Sequence, residues 1–498
     1  MMYRRPGKML VLRLISVFIT AAVMMFAASI QALAYDDDVS IEPIHFNNTD
    51  FIRGMDVSSV ISLERAGVRY FNVAGRRQDI FRILADNGVN YIRVRVWNDP
   101  YDKEGIGYGG GNCDVDTAAE IGRRAAYFGM KLLVDFHYSD FWADPGKQKS
   151  PKAWDGLSLD ERAAAVESFT AESLRKISGA GAKIGMVQIG NETNSGIAGV
   201  SSFDDIPAVF RAASSAVRDF DPDILIAVHF TGPEDTQTIK WRADYMNENN
   251  IDYDVFAVSY YPYWHGSLSN LTSVLSYAAE EYDKYVMVAE TSYAYTFDDS
   301  DGHPNTVSHG SNDNSDDLLW DFSPQGQAEE MRAVMSAVND VPNSRGLGVF
   351  YWEGAWITVG DTSGLIGDEL NAAIESNRAV WELNGSGWAA SSAGEYDSDA
   401  GVYCGGSAVD NQAFFAPDGR ALPSLKAFAM VNENFHPMGD ADLSGERDIL
   451  DATMIQRYLA MLEDISSEQM ALADLDLDGE TTILDATRIQ RILAELTV

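Results

Sequence analysis

Between residues 50 and 355 the chain alternates eight short β-rich runs with longer helix-like stretches, and no other feature restricts its fold as much. The runs are Phe51–Val57, Asn90–Trp97, Lys131–Tyr138, Gly185–Glu192, Asp223–Phe230, Asp254–Tyr261, Tyr285–Thr291 and Gly346–Glu353. Their interiors are rich in Val, Ile, Leu and aromatic residues, the composition of parallel strands buried on both faces. Thr117–Gly129, Asp160–Ser178, Ser267–Tyr282 and Gln325–Val338 carry apolar residues three and four apart, as helices covering such a sheet do. Eight β/α units in a stretch of this length predict a (β/α)8 barrel. A doubly wound open sheet is the alternative, but no Gly-rich dinucleotide fingerprint follows the first run.

The ends of the runs carry chemistry. They read Trp97-Asn98, His137-Tyr138, Asn191-Glu192, His229-Phe230, Tyr260-Tyr261, Glu290-Thr291 and Trp352-Glu353. In a barrel these edges converge on one face, where active sites are built. Glu192 closes the fourth run and Glu290 the seventh, across the barrel mouth from each other. Two carboxyl groups flanking a bond are what glycoside hydrolysis requires: one protonates the leaving oxygen, the other attacks the anomeric carbon or activates water. Either Glu alone would read as an ion-pair partner; the pair, with Asn191 beside the first, reads as catalytic. Glu353 also ends a run and reads as structural or as a substrate contact. Arg93 and Arg95 are candidates for keeping the nucleophile ionised, and strand alternation places both on the same face. Trp97, His137, Tyr138, Trp142, His229, Tyr260, Tyr261, Trp264, Tyr293, Trp352 and Trp356 crowd this edge; flat apolar rings with polar handles suit the C–H faces of pyranose sugars.

The charge excludes other classes. Acidic residues outnumber basic ones 75 to 37, a formal charge of −38, which repels nucleic acid and anionic membranes and suits a neutral substrate and bound cations. Cys113 and Cys404 are too few for a zinc ribbon or an iron–sulfur cluster, and their pairing is left open. Arg4, Arg5, Lys8 and Arg13 precede an apolar run from Leu14 to Ile30 and an Ala32-Leu33-Ala34 cleavage pattern, so residues 1–34 are expected to be a signal peptide. The mature protein is then exported, without a membrane span, beginning with a linker over 35–49.

Several long motifs resemble the family 53 glycoside hydrolases, the arabinogalactan endo-β-1,4-galactanases. They are Arg53-Gly54-Met55-Asp56-Val57-Ser58-Ser59, the run from Arg93 to Pro100, the run from Asp135 to Pro145, Gly190-Asn191-Glu192-Thr193-Asn194, Ala289-Glu290-Thr291-Ser292-Tyr293 and Phe350-Tyr351-Trp352-Glu353. The resemblance covers residues 50–431. It implies a retaining mechanism, with Glu192 as acid/base and Glu290 as nucleophile, and cleavage of β-1,4-galactan in pectin side chains. It favours Arg93 over Arg95 and gives Asn191 a sugar contact. His229, Tyr260 and Trp352 match subsite residues, and Trp142, Asp144 and Trp264 are counted with the substrate-binding set. Some bacterial members bind calcium between the last two βα loops. The matching residues here are Asp299, Asp301, His303 (through its carbonyl) and Asn305, with Ser407 and Asp410 from the later loop. No organic cofactor is expected.

After a short linker at 432–437, residues 438–498 repeat themselves with a period of 34. Ile449-Leu450-Asp451-Ala452-Thr453 recurs as Ile483-Leu484-Asp485-Ala486-Thr487, and Ile455-Gln456-Arg457 as Ile489-Gln490-Arg491. Asp440, Asp442, Ser444, Asp448 and Asp451 occupy positions 1, 3, 5, 9 and 12 of a calcium loop with Gly445 at the turn; Asp474, Asp476, Asp478, Thr482 and Asp485 repeat them around Gly479. Each loop leads into a helix with no clear helix before it. This resembles a type I dockerin, a small all-α module holding two calcium ions. The resemblance implies a cohesin on a scaffoldin as partner, in an extracellular, cell-surface complex of the cellulosome kind. Positions 10 and 11 and the Gln-Arg pairs would contact the cohesin; Ile449 and Ile483 have the alternative role of packing the two halves together. Two other functions compete: the same barrel acting on mannan or xylan, and a non-catalytic glycan-binding scaffold.

Overall fold

The structure, a computed structural model, describes residues 39–308, 318–400, 404–433 and 435–495. The signal peptide expected over 1–34 lies outside them. All eight expected strands form: β1 Ile52–Asp56, β2 Tyr91–Val96, β3 Lys131–Phe136, β4 Ile184–Ile189, β5 Leu225–Phe230, β6 Val255–Ser259, β7 Tyr285–Thr291 and β8 Gly346–Tyr351. They pair in chain order, all parallel, and β8 closes onto β1. The surrounding helices are α1 Val60–Arg65, α2 Ile80–Asp86, α3 Val115–Tyr127, α4 Leu159–Gly179, α5 Ile206–Phe220, α6 Thr236–Glu248, α7 Leu268–Tyr282, α8 Pro324–Asn339 and α9 Gly367–Asn384, with the short α10 Ala427–Met430. Their starts follow local chemistry: Asp114 caps α3 through Thr117 N–H, and Ser158 with Glu161 forms a capping box on α4. Among the described residues no helix is long and apolar enough to cross a membrane.

The barrel lumen is filled by an apolar layer that includes Tyr91, Leu133, Met186, Ala227, Ala257, Met287 and Phe350. Two residues further along, the same face turns polar: Arg93, Asp135, Gln188, His229 and Ser259 are all buried. Period-two alternation thus stacks a hydrogen-bonded polar layer directly on the hydrophobic plug.

Two expectations change, and the open question of the cysteines is answered. Residues 39–49 are not a free linker: Ile44 N–H donates to Val431 O at 2.8 Å, Asn47 bonds Asn339, and Ile41 and Ile44 are buried. Cys113 and Cys404 are both free thiols, Cys113 buried with Sγ donating to Gly110 O at 3.1 Å. In the C-terminal repeats, α11 Ile449–Leu459 and α13 Ile483–Leu493 follow the two loops as expected, but α12 Ser467–Ala473 stands directly before the second loop. Ser466 and Gln469 form its capping box, a start signal legible in Ser-x-x-Gln.

Candidate active site

Arg93 is the hub of the polar layer. Its guanidinium, fully buried, donates to Glu290 Oε1 at 2.8 Å, Asp135 Oδ2 at 2.8 Å, Asn191 Oδ1 at 3.0 Å and Asp56 Oδ2 at 3.0 Å. Tyr261 O–H donates to the other oxygen of Glu290 at 3.0 Å. Both carboxylate oxygens of Glu290 therefore hold a donor. Burial raises its pKa above the usual carboxylate value, and Arg93 pulls against that rise. Glu290 reaches this position through an irregularity: the β6–β7 and β7–β8 registers both shift here, and Ser259 pairs with Glu290. Ala289 already points into the lumen, so strict alternation would turn Glu290 outward; the shift turns it to the mouth.

Glu192 sits beyond the end of β4 with φ at +43°, a left-handed conformation that costs a non-glycine residue on the order of 1–3 kcal/mol. Its Oε1 accepts from Ser259 Oγ–H at 2.6 Å. Behind Ser259 stands His229, whose Nε2 lies 2.9 Å from Ser259 Oγ. Gln188 Nε2 at 3.0 Å and Glu192 N–H at 3.3 Å both point at His229 Nδ1. Asn191 Oδ1 also lies 3.0 Å from Nδ1, but a proton there would face the two N–H donors, so the pair favours Nδ1 as acceptor. Nε2 then carries the proton and donates to Ser259, which donates to Glu192. Burial, then Arg93, holds His229 far below its usual pKa, so this chain stays neutral in charge. Burial and the charge of Glu290 push Glu192 up to about 8, against the pull of Ser259. Burial raises both carboxyls, but only Glu290 has a buried cation, Arg93, pulling against that rise.

Both glutamates line a cavity of about 210 Å³ with Trp142, Asp144, Asn191, Tyr261, Trp264, Trp352 and Trp388. Trp142 and Trp388 stack with centroids 4.8 Å apart, and Trp142 Nε1–H donates to Trp388 O at 3.1 Å. Trp388 carries no sequence signal, standing in the irregular segment after α9 rather than at a strand end. Two expected subsite residues are elsewhere. Tyr260 is buried among the helices, donating to Gly266 O at 2.9 Å; its neighbour Tyr261 faces the cavity, as alternation from Ala257 and Ser259 demands. His229 lies fully buried beneath Ser259 instead of on the wall. Arg95, on the same face as Arg93 but one layer higher, pairs with Glu353 Oε1 at 2.5 Å and lies 4.4 Å from the Trp142 ring. Glu353, 1 % exposed, also accepts from Ser59 Oγ–H, which gives it a structural place.

Beside the cleft, whose lining includes Thr306 and Val409, carboxylate oxygens of Asp299, Asp301 and Asp410 lie within 4.8 Å of one another. Asp301 and Asp410 are buried, and burial together with neighbouring acidic charge raises both, Asp410 to about 6. Asn305 donates Nδ2–H to Asp410 Oδ1 at 2.7 Å and leaves its buried Oδ1 without a partner. An oxygen-rich, mutually repelling set with an orphaned amide oxygen fits a hard cation. His303 and Ser407 meet this group through backbone N–H donors to Asp301, and Ser407 Oγ–H turns to Trp356 O.

In the C-terminal loops, Asp440, Asp442 and Asp451 converge within 4.8 Å, as do Asp474, Asp476 and Asp485. Asp451 and Asp485 are oriented by the N–H groups of Asp448 at 2.6 Å and Thr482 at 2.8 Å. Asp448 and Thr482 in turn cap α11 and α13. Ser444 and Asp478 each donate backbone N–H at 3.0 Å to the first Asp of their loop. His436, which the sequence did not single out, sits 2.7 Å from Asp440 Oδ2. Ile449, Leu450, Ile483 and Leu484 are all more than half exposed, so the two isoleucines do not join the halves.

Comparison with known proteins places this geometry. The profile of glycosyl hydrolase family 53 matches residues 52–428, and that of the dockerin type I domain matches 438–494. An endo-β-1,4-galactanase of Bacillus subtilis (strain 168) is 51 % identical over 402 residues, covering 80 % of this chain and 90 % of the relative. An arabinogalactan endo-β-1,4-galactanase of Thermothelomyces thermophilus is 34 % identical over 61 % of this chain and 90 % of its own length. The solved GH53 catalytic domain of Ignisphaera aggregans superposes with a TM-score of 0.69 at 38 % identity, covering 80 % of this chain and all of that one. The chain belongs to glycosyl hydrolase family 53 and ends in a type I dockerin domain.

Proposed function

We propose that this protein is an exported endo-β-1,4-galactanase that cleaves galactan with retention, Glu192 serving as acid/base and Glu290 as nucleophile. The observation that carries the reading is the unequal treatment of the two carboxyl groups. Glu290 accepts hydrogen bonds on both oxygens from Arg93 and Tyr261, which favours its anion. Glu192, raised to about 8, holds its proton at neutral pH and gives it to the leaving glycosidic oxygen. Glu290 attacks the anomeric carbon; Glu192, now ionised, then takes a proton from water as water displaces the enzyme carboxylate. The stack of Trp142 and Trp388, with Trp352 and Trp264, offers flat surfaces to successive sugar rings.

The galactan preference is supported by the family relatives, and its test is direct. Reducing-end release should appear with galactan and be at least about tenfold weaker with xylan or mannan, the discrimination one misplaced hydroxyl supports. Preference for either of the latter overturns the substrate, and binding without cleavage would support a scaffold role instead.

The relay makes a second prediction. Because the Ser259 hydrogen bond lowers the pKa of Glu192, its removal in Ser259→Ala raises that pKa further. The alkaline limb of kcat/KM, where the acid loses its proton, should move to higher pH. A limb that stays in place or moves down refutes the assignment of Glu192 as the acid.

Calcium is proposed for both dockerin loops and for the Asp299, Asp301, Asn305 and Asp410 group, where it would neutralise converging carboxylates and fix the loops beside the cleft. A cohesin is the proposed partner of the exposed Ile449, Leu450, Ile483 and Leu484, and the assembly is extracellular.

A further inference from the structure

Among the described residues, the hydrogen bonds and ring contacts that join the dockerin to the barrel gather at the barrel floor. Asp86 ends α2 and Ala126 and Tyr127 end α3. Gly129 lies in the turn into β3, and Lys183 immediately precedes β4. The cleft opens at the other pole, where the strands end. Arg447, its side chain 3 % exposed, pairs with Asp86 and donates to Met438 O at 2.8 Å. Arg82 bonds Ile492 O at 2.8 Å, and Lys183 Nζ donates to Leu477 O at 3.2 Å, within the second calcium loop. Arg488 spans the joint: it donates to Ala126 O at 3.4 Å, lies 5.3 Å from the Tyr127 ring, and stands 3.6 Å from Asp476 Oδ2. Met438 packs on Gly129, where a Cβ would come within 2.9 Å of it.

The sequence of the repeats divides along the same line. Of the positions identical in both copies, Ala452 and Ala486, Ile455 and Ile489, and the loop aspartates Asp451 and Asp485 are buried, while Ile449 and Ile483, Leu450 and Leu484, Thr453 and Thr487, Gln456 and Gln490 are exposed. Three of the floor-facing positions are those where the copies differ. Arg447 corresponds to Thr481, Arg488 to Met454 and Ile492 to Tyr458. The exposed duplicated residues serve a two-fold-related surface, while the divergent ones make a contact that only one orientation permits. The intervening segment 432–437 reaches about 20 Å at full extension, too little for a freely ranging tail.

We propose that the dockerin is a rigid base rather than a tethered module: it is clamped to the floor of its own barrel through Arg447, Arg488 and Ile492. Both copies of its duplicated face stay open to a partner, and the cleft points away from whatever scaffold it binds. This rests on the dockerin reading only for the identity of the partner; the clamp itself does not need it.

The test uses the calcium-saturated full chain carrying Cys404→Ser, with spin labels at Glu172→Cys on α4 and Ser467→Cys on α12. A single narrow distance distribution is expected, and a broad one overturns the proposal. Asp86→Lys with Arg488→Met, which installs the first-repeat residue at that position, should broaden the distribution severalfold and leave galactan hydrolysis unchanged. An unaltered distribution in that variant removes the clamp. Adding a type I cohesin should leave the parent distribution narrow, and broadening on binding would show that the clamp occludes a face. A cohesin that does not bind at all sinks the partner reading, while the parent distribution still decides the clamp.

Discussion

Glu290→Gln should lower kcat on galactan by on the order of 10⁴-fold or more, about 5.5 kcal/mol of transition-state stabilisation, while the barrel stays folded. The amide is close in size to the carboxylate and still accepts one hydrogen bond from Arg93, which donates to Oε1 at 2.8 Å. It cannot form the covalent intermediate, so the loss falls on chemistry and leaves KM little changed. Arg93 remains paired with Asp56 and Asp135, which keeps its buried charge compensated. Steady-state kinetics beside a thermal melt checks this. Activity within tenfold of the parent would remove Glu290 as nucleophile, and an unfolded variant would mark Glu290 as a structural partner of Arg93.

Chelation of calcium should abolish cohesin binding. In each loop three aspartates converge within 4.8 Å, and at neutral pH their mutual repulsion opposes the fold unless a cation sits among them. A ligand at about a thousand times its dissociation constant contributes about 4 kcal/mol of stability, roughly all that a core this small supplies. The exposed pairs Ile449-Leu450 and Ile483-Leu484 begin the helices that the loops lead into and cap, so loss of the loops disperses the binding face. Calorimetric titration with a cohesin in excess chelator, and again after calcium is restored, measures this. Affinity unchanged in chelator would refute the calcium loops, and affinity lost but not restored would point to irreversible damage.

The pH profile joins the two halves of the site. Glu192 must keep its proton and Glu290 must lose its own, so kcat/KM should fall on the alkaline side through the Glu192 value near 8. On the acid side it falls as Glu290 gains a proton; Arg93 opposes that gain, and weakening Arg93 would narrow the bell from below.

Much of this was legible in the sequence because the signals are local. Continuous apolar runs specify buried parallel strands, and all eight are present. Polar residues finishing those runs marked the mouth, and Glu192 and Glu290 stand there. Asp and Gly at fixed loop spacing, duplicated after 34 residues, specified the calcium loops, since a loop of that spacing turns its own oxygens inward.

What only the tertiary structure decided depends on register and on contacts between distant segments. Alternation places Arg93 and Arg95 on one face but does not say which layer each occupies; the barrel gives Glu290 to Arg93 and Glu353 to Arg95. Glu290 itself faces the mouth through a shift in the β7 pairings that leaves no trace in the strand's composition. Tyr261 displaces Tyr260 at the cavity by a one-residue difference that flips a side chain across the sheet. Trp388 arrives from an irregular segment whose path no periodicity encodes, and the dockerin's seat on the barrel floor joins residues some 360 positions apart. Local spacing thus specified which residues carry the chemistry, and long-range packing decided which of them meet.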